Sequence, residues 1–189
     1  MPTPRPPSII DAPLPYVARL ETRPPAQVDL VVIHCTELPD LAAAREYGER
    51  ALHASGTGNS GHYYIDRDGT VLRYVPDEHI AHHVRGFNPR SIGIELVNRG
   101  RFPHWLDSRH QAMDEAYPDA QVDALVALLL DLARRLPALR HVAGHEDLDR
   151  ECVPASDDPE VQVQRKLDPG PLFPWPRVLS GIPLQRLPV

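Results

Sequence analysis

The sequence predicts an α/β fold, a single domain with a mixed central β-sheet flanked by helices. Three observations predict it. Short apolar runs recur at 28–34 (VDLVVIH), 91–98 (SIGIELVN) and 141–144 (HVAG), the first rich in β-branched residues. One long segment, 119–136, carries apolar residues at helical spacing. Strand-like and helical segments follow in the order β-α-β-β-β-α-β-α, which suits helices packed on a sheet of mixed strand direction. A chain of 189 residues fits one domain with a substantial core.

Each element has its own signal. Eight of the 22 prolines fall within residues 1–27. That segment reads as an extended arm that wraps the domain or trails from it. Residues 28–34 are a buried strand. After Pro39-Asp40, Leu41, Ala44, Tyr47, Ala51 and Leu52 recur at helical spacing until Gly56. GHYYIDRDGTVLRYV reads as a hairpin turning at Asp68-Gly69. In SIGIELVN, Ile92, Ile94 and Leu96 share one face, and Gly93, Glu95 and Val97 share the other. The stretch 104–118 is a loop or broken helix. In 119–136, Val122, Leu125, Val126, Leu129, Leu132, Ala133 and Leu136 form an apolar stripe. Asp119 suits the N-cap, Arg134 and Arg135 suit the C-terminal dipole, and Pro137 stops the helix. WPRVLSGI is a short last helix. No internal repeat or second boundary divides residues 28–180, and 181–189 form a tail.

Composition narrows the partners. Net charge is −6 with no block of Lys or Arg, so nucleic acid is not expected. No run approaches the ~18 apolar residues of a membrane span. No basic-then-apolar leader is visible, so the expected location is cytoplasmic, with a removed leader or another release route left open. The two cysteines, Cys35 and Cys152, do not make a disulfide framework. Reduced thiols are the expectation and a Cys35–Cys152 bridge the alternative. Nothing in the sequence sets an oligomeric state.

The chemistry-bearing residues lie at strand ends. Among ten histidines, His34 ends DLVVI and His145 follows HVAG. If those strands run parallel, both imidazoles reach the carboxyl edge of the sheet, where α/β sites lie. Neutral imidazole is a common zinc ligand. Alone, either histidine is better explained as a hydrogen-bonded residue closing a strand; together they bring the two explanations level. Lys166 and Asp168, two apart before Pro169, can face one site, because an extended i, i+2 pair points the same way. A carboxylate there would complete a His-His-Asp set with a position left open for water. A surface ion pair beside a proline turn fits that spacing equally well. Glu95 is a lone acid in an apolar strand and needs a partner or a task; a structural ion pair at the rim explains it as well.

Five segments then bear on each other: VVIHCTE, GHYYIDRDGTV, AHHVRGFNPRSIGIELVN, VAGHEDL and RKLDPGPLFPW. In order and residue type they resemble the zinc-dependent N-acetylmuramoyl-L-alanine amidases of the type-2 group. That group includes the cytosolic anhydro-muropeptide amidases and is related to peptidoglycan recognition proteins. The resemblance runs from about Val28 to Leu179. It implies a zinc cofactor (Zn2+) with ligands His34, His145 and Asp168, at the edge of the sheet. It implies Glu95 as the acid/base and Lys166 facing the oxyanion. The implied substrates are peptidoglycan fragments, muropeptides, cut at the amide between N-acetylmuramic acid and L-alanine.

His83, Arg85 and Asn88 fall near the substrate cleft in this alignment. His62 matches a family histidine, while Gly61 stands where some relatives carry a tyrosine. His53, His79, His82, His104, His110 and His141 are expected bystanders. The acidic stretch 146–165 is longer than in compact cytosolic relatives; such a run is usually just solvated, but its place between two site elements also suits a wall or lid. Cys152 within it competes with Asp168 for the third ligand position; the intact Lys-x-Asp-Pro frame favours Asp168. Two other settings remain: a non-catalytic peptidoglycan-binding module, which would usually lack a ligand, and a lysin acting on intact wall.

Overall fold

Six consecutive buried residues, Leu30–Cys35, form a strand covered on both faces, which places it at the centre of the sheet. A computed structural model describes residues 7–188. In chain order the strands are β1 (Ile9–Asp11), β2 (Leu30–Cys35), β3 (Tyr63–Ile65), β4 (Val71–Arg73), β5 (Ser91–Leu96), β6 (His141–Gly144), β7 (Cys152–Pro154), β8 (Gln162–Gln164) and β9 (Gln185–Arg186). The helices are α1 (Leu41–Glu49), α2 (Asp119–Arg135), α3 (His145–Leu148) and α4 (Trp175–Ser180). Seven strands form one sheet in the order β1-β4-β3-β5-β2-β6-β9, and β7 pairs with β8 as a separate hairpin. The β3–β4 pair is antiparallel while β2, β5 and β6 run parallel, so the sheet is mixed as the sequence predicts.

Register decides which side chains share a face. In β2, Val31 and Ile33 join one core cluster, whereas Leu30 and Val32 join another on the opposite face. In β5, Ile92, Ile94 and Leu96 lie with Val31 and Ile33. His34 and Glu95 are direct register partners. Both follow the alternation onto the face away from α2.

The α2 stripe closes the other face. Val122, Leu125, Leu128, Leu129 and Leu132 are fully buried against the sheet. Burying each such side chain contributes about 1.5–3 kcal/mol. Gln121, buried in the first turn, donates to the carbonyls of Ile65 and Val97 and so satisfies two strand-end acceptors. Asp119 stands one residue inside the helix with Pro118 at the N-cap, and it pairs with Arg177 of α4. The α1 helix begins where expected, with Asp40 Oδ1 accepting from the Ala43 amide at 2.8 Å. It stops at Glu49, earlier than the apolar spacing suggests. There the chain folds back, Leu52 and His53 both donating to Thr57 O, and Tyr16 Oη takes the Gly48 carbonyl at 2.6 Å.

The proline-rich segment packs on the domain from residue 9 onward; its first six residues lie outside those described. β1 adds a parallel edge strand against β4, and Leu14, Tyr16 and Leu20 bury beside Tyr74 and Val75. At the opposite edge β9 pairs with β6, and Arg186 stacks on Trp175. Among the described residues, no helix is long and apolar enough to cross a membrane. Cys35 is buried and Cys152 exposed, and both are free.

Candidate metal centre and its cleft

The parallel pairing of β2 and β6 aligns Ile33 with Gly144, so the residues that follow, His34 and His145, emerge side by side. Their rings lie 4.6 Å apart, centroid to centroid, at 76°. Asp168 arrives on the segment after β8. Its Oδ2 is 2.9 Å from His34 Nδ1 and 3.1 Å from His145 Nδ1. The three ligand atoms lie within 4.8 Å of one another, and all three residues are buried. Two backbone contacts hold Asp168 there: its carbonyl accepts from the Glu146 amide at 2.9 Å, and Tyr117 Oη donates to the neighbouring Pro169 carbonyl at 2.6 Å. Gly144 permits the approach, since a Cβ there would lie 2.9 Å from Pro169 Cδ.

The donor set fits a divalent metal. Two imidazole nitrogens converge on one carboxylate oxygen, and the other oxygen, Asp168 Oδ1, is buried without a hydrogen-bond partner. A buried polar atom left so costs free energy unless something else satisfies it. Two imidazoles and a carboxylate form a common three-ligand set for a catalytic metal with an open position. Burial pushes the His34 imidazole down to about 4, against the opposing pull of Asp168, so the neutral, ligating form prevails. Burial would raise the Asp168 carboxyl, yet His145 and His34 outweigh it and hold it well below the ordinary carboxylate range.

The remaining expected residues surround this centre in a cleft of about 860 Å³, a size that suits a ligand site. Glu95 is half-buried on β5, one strand away from His34 and facing the same side. Burial raises its carboxyl well above the ordinary range, the Asp168 charge raises it further, and Lys166 pulls it back. Lys166 lines the cleft two residues before Asp168. Arg85 is exposed at the rim, where Glu151 takes its Nη1 at 2.9 Å. The side-chain oxygen of Asn88 accepts from the amides of His83 at 3.0 Å and Val84 at 2.8 Å, bracing that loop. His83 lines the cleft and meets His34, with His34 Nε2 2.9 Å from His83 Nδ1. His62 is fully buried beneath it: its Nδ1 accepts from the Gly93 amide, and its Nε2 lies 3.0 Å from the His79 carbonyl.

The structure adds lining residues that the sequence did not single out. His53 and His82, set aside as bystanders, stack edge to face at 4.8 Å in the cleft wall. Tyr64 pairs in register with Glu95 on the same face. Arg101 is buried in a bidentate pair with Glu37, at 2.7 and 3.0 Å, and also donates to the carbonyls of Gln164 and Arg165, which anchors the strand leading to Lys166. Of the stretch 146–165, Arg165 lines the cleft; the rest folds around the β7–β8 hairpin, which is tied down by an Asp149–Arg165 ion pair, and Asp157 accepts from Ser108 N and Oγ. Cys152 is exposed on that hairpin, and the group that could hold a metal is made by His34, His145 and Asp168.

A mixed sheet thus gathers two imidazoles and a carboxylate at the carboxyl ends of its parallel strands, a group that could hold one metal ion, with an acid one strand away. The chain belongs to the N-acetylmuramoyl-L-alanine amidase family, whose profile matches residues 24–171. It is 34% identical over 122 residues to the 1,6-anhydro-N-acetylmuramyl-L-alanine amidase AmpD of Enterobacter cloacae, covering 60% of this chain and 51% of that protein. The chain thus spans about half the length of the curated relative it matches. Among solved structures, it is similar to the Escherichia coli amidase AmiD in complex with the substrate anhydro-N-acetylmuramic acid-L-Ala-D-gamma-Glu-L-Lys. That match has a TM-score of 0.61 and 26% identity, covering 82% of this chain and 57% of that one. An endolysin amidase from Clostridium intestinale shares the fold at a TM-score of 0.68 with 19% identity, covering 96% and 99% of the two chains.

Proposed function

We propose that this protein hydrolyses the amide bond between N-acetylmuramic acid and L-alanine in peptidoglycan fragments, using one zinc ion held by His34, His145 and Asp168. The observation that carries the reading is the convergence of those three buried ligands beside Glu95, within a cleft open to substrate. When bound there, zinc supplies Lewis acidity, bringing the pKa of water to about 7 and polarising the amide carbonyl.

The chain's own residues do the rest. Glu95 takes a proton from the water that attacks the lactyl carbonyl. As the new C–O bond forms and the C–N bond breaks, Glu95 passes that proton to the amine nitrogen of L-alanine. Its raised pKa suits the first transfer, since such a carboxylate is a stronger base than an ordinary one. Lys166 faces the oxyanion and stabilises its charge. The rim cation Arg85 meets the carboxylates of the stem peptide, while His83 and Asn88 shape the wall between rim and metal. Glu151 holds Arg85 before substrate arrives.

We place the reaction in cell-wall turnover, on soluble muropeptides. Three features support this: the family match, the resemblance to an amidase named for anhydro-muramyl substrates, and the substrate complex of a similar fold. The test is digestion of purified muropeptides and intact sacculi, with and without a chelator, read by mass spectrometry. Release of the stem peptide from muropeptides, abolished by the chelator and restored by zinc, is the expected result. Cleavage of sacculi alone would shift the assignment to a wall lysin. Binding without cleavage of either would leave a recognition module and overturn the enzymatic reading.

A further inference from the structure

His34 touches more than its metal partners. Its Nε2 lies 2.9 Å from His83 Nδ1, and the two rings meet edge to face at 5.1 Å. On its far side, His83 Nε2 lies 3.2 Å from Ser91 Oγ, and Ser91 Oγ is 2.8 Å from the Phe87 carbonyl oxygen.

The direction of this chain follows from its last member. A backbone carbonyl only accepts, so the single hydroxyl proton of Ser91 goes to Phe87 O. Ser91 Oγ then accepts, and His83 Nε2 must be the N–H that donates to it. The two ring nitrogens of His83 meet an imidazole nitrogen of His34 and the hydroxyl of Ser91, neither of them an anion that would hold a second ring proton. A neutral ring with Nε2–H has a bare Nδ1, which accepts from His34 Nε2–H. That leaves the lone pair of His34 Nδ1 free, on the nitrogen 2.9 Å from Asp168 Oδ2.

The position of His83 is built rather than incidental. Its amide is held by Asn88 Oδ1 at 3.0 Å. Its ring lies flat against Gly93 of β5, where a Cβ would come within 2.6 Å of His83 Cγ. Ser91 is fully buried on the same strand.

We infer that His83 is a positioning residue for the metal centre: through Ser91 and the Phe87 carbonyl it fixes His34 in the tautomer that presents Nδ1 to the cation. This rests on the reading of His34, His145 and Asp168 as zinc ligands. It also moves His83 from substrate contact to ligand support. Such outer partners typically carry about 10–100-fold in metal affinity.

The test has two arms. In the first, zinc affinity is measured by competition with a chelator for wild type, His83→Phe, His83→Asn and Ser91→Ala, with circular dichroism confirming each fold. We expect His83→Phe to weaken zinc by ~10–100-fold. His83→Asn, whose amide oxygen can accept in place of Nδ1, should recover most of that loss, and Ser91→Ala should fall between. In the second arm, the histidine nitrogens of the ¹⁵N-labelled wild-type protein are assigned with and without zinc; His34 should carry its proton on Nε2 in both. Wild type that fails to bind zinc would sink the metal reading itself. Zinc-binding wild type with equal affinity in His83→Phe, or with a bare His34 Nε2, would sink only the role given to His83. If His83→Phe does not fold, Ser91→Ala and the wild-type spectrum decide.

Discussion

Replacing Glu95 by Gln removes one negative charge and the ability to carry a proton, while keeping size and shape. The position makes this a clean perturbation. Glu95 lies on β5 opposite His34 and is not one of the three clustered ligands, so the metal set should survive. Its carboxyl is raised well above the ordinary range by burial and by the charge of Asp168, with Lys166 opposing. The wild-type group is therefore poised to hold and release a proton, and the amide cannot replace it. General acid–base catalysis contributes about 10²–10⁴-fold. At about 1.36 kcal/mol per decade, this is roughly 3–5 kcal/mol of barrier. The loss should fall on kcat, with KM little changed, because the proton moves only in the transition state. The assay is cleavage of a defined muropeptide followed by mass spectrometry, with zinc content measured on the same samples. Full kcat in a zinc-loaded Glu95→Gln variant would refute the role given to this carboxylate. Loss of zinc along with activity would refute the separation of acid/base from ligand.

Other outcomes follow from the same structure. Lys166→Ala should keep zinc and lose about 10²–10³-fold in turnover, the usual cost of one oxyanion donor, read by the same assay. Leu129→Ala, in the fully buried stripe of α2, should cost about 2–5 kcal/mol in urea unfolding; an unchanged midpoint would contradict the packing. His62 should shape acid stability. Burial, aided by Arg23, lowers its pKa from 6.5 to about 3, so the folded chain refuses a proton that the unfolded chain accepts. Its stabilising contribution is complete above pH 6.5. It is lost as pH falls toward 3, at up to about 1.4 kcal/mol per pH unit. Unfolding free energies of wild type and His62→Gln, measured across that range, should converge as pH falls; parallel curves would contradict the assignment.

The central strands were legible because burial on both faces leaves a plain mark, the apolar runs of β2 and β5. The convergence of His34 and His145 was legible for a related reason: a polar residue closing such a run stands out. Period-two alternation likewise put Ile92, Ile94 and Leu96 on one face and Glu95 on the other. The edge strands were hidden. β1 sits in a proline-rich stretch, β9 has two residues, and β7 and β8 lie in an acidic run whose composition suggests solvent. β1 and β9 gain their order from partner strands far along the chain, whereas β7 and β8 order each other across a short hairpin. The Arg101–Glu37 pair joins residues 64 apart and His34–His83 joins residues 49 apart. No local pattern signals either contact. The bracing role of Asn88 was hidden for the same reason: its oxygen faces the backbone of its own loop, while the residue still lines the cleft.

The most direct measurement is anomalous diffraction at the zinc absorption edge from crystals grown with zinc, with metal content measured in solution. The account predicts one zinc per chain and a single strong peak bounded by His34 Nδ1, His145 Nδ1 and Asp168 Oδ2. A peak elsewhere, or a chain that binds no zinc, would contradict it.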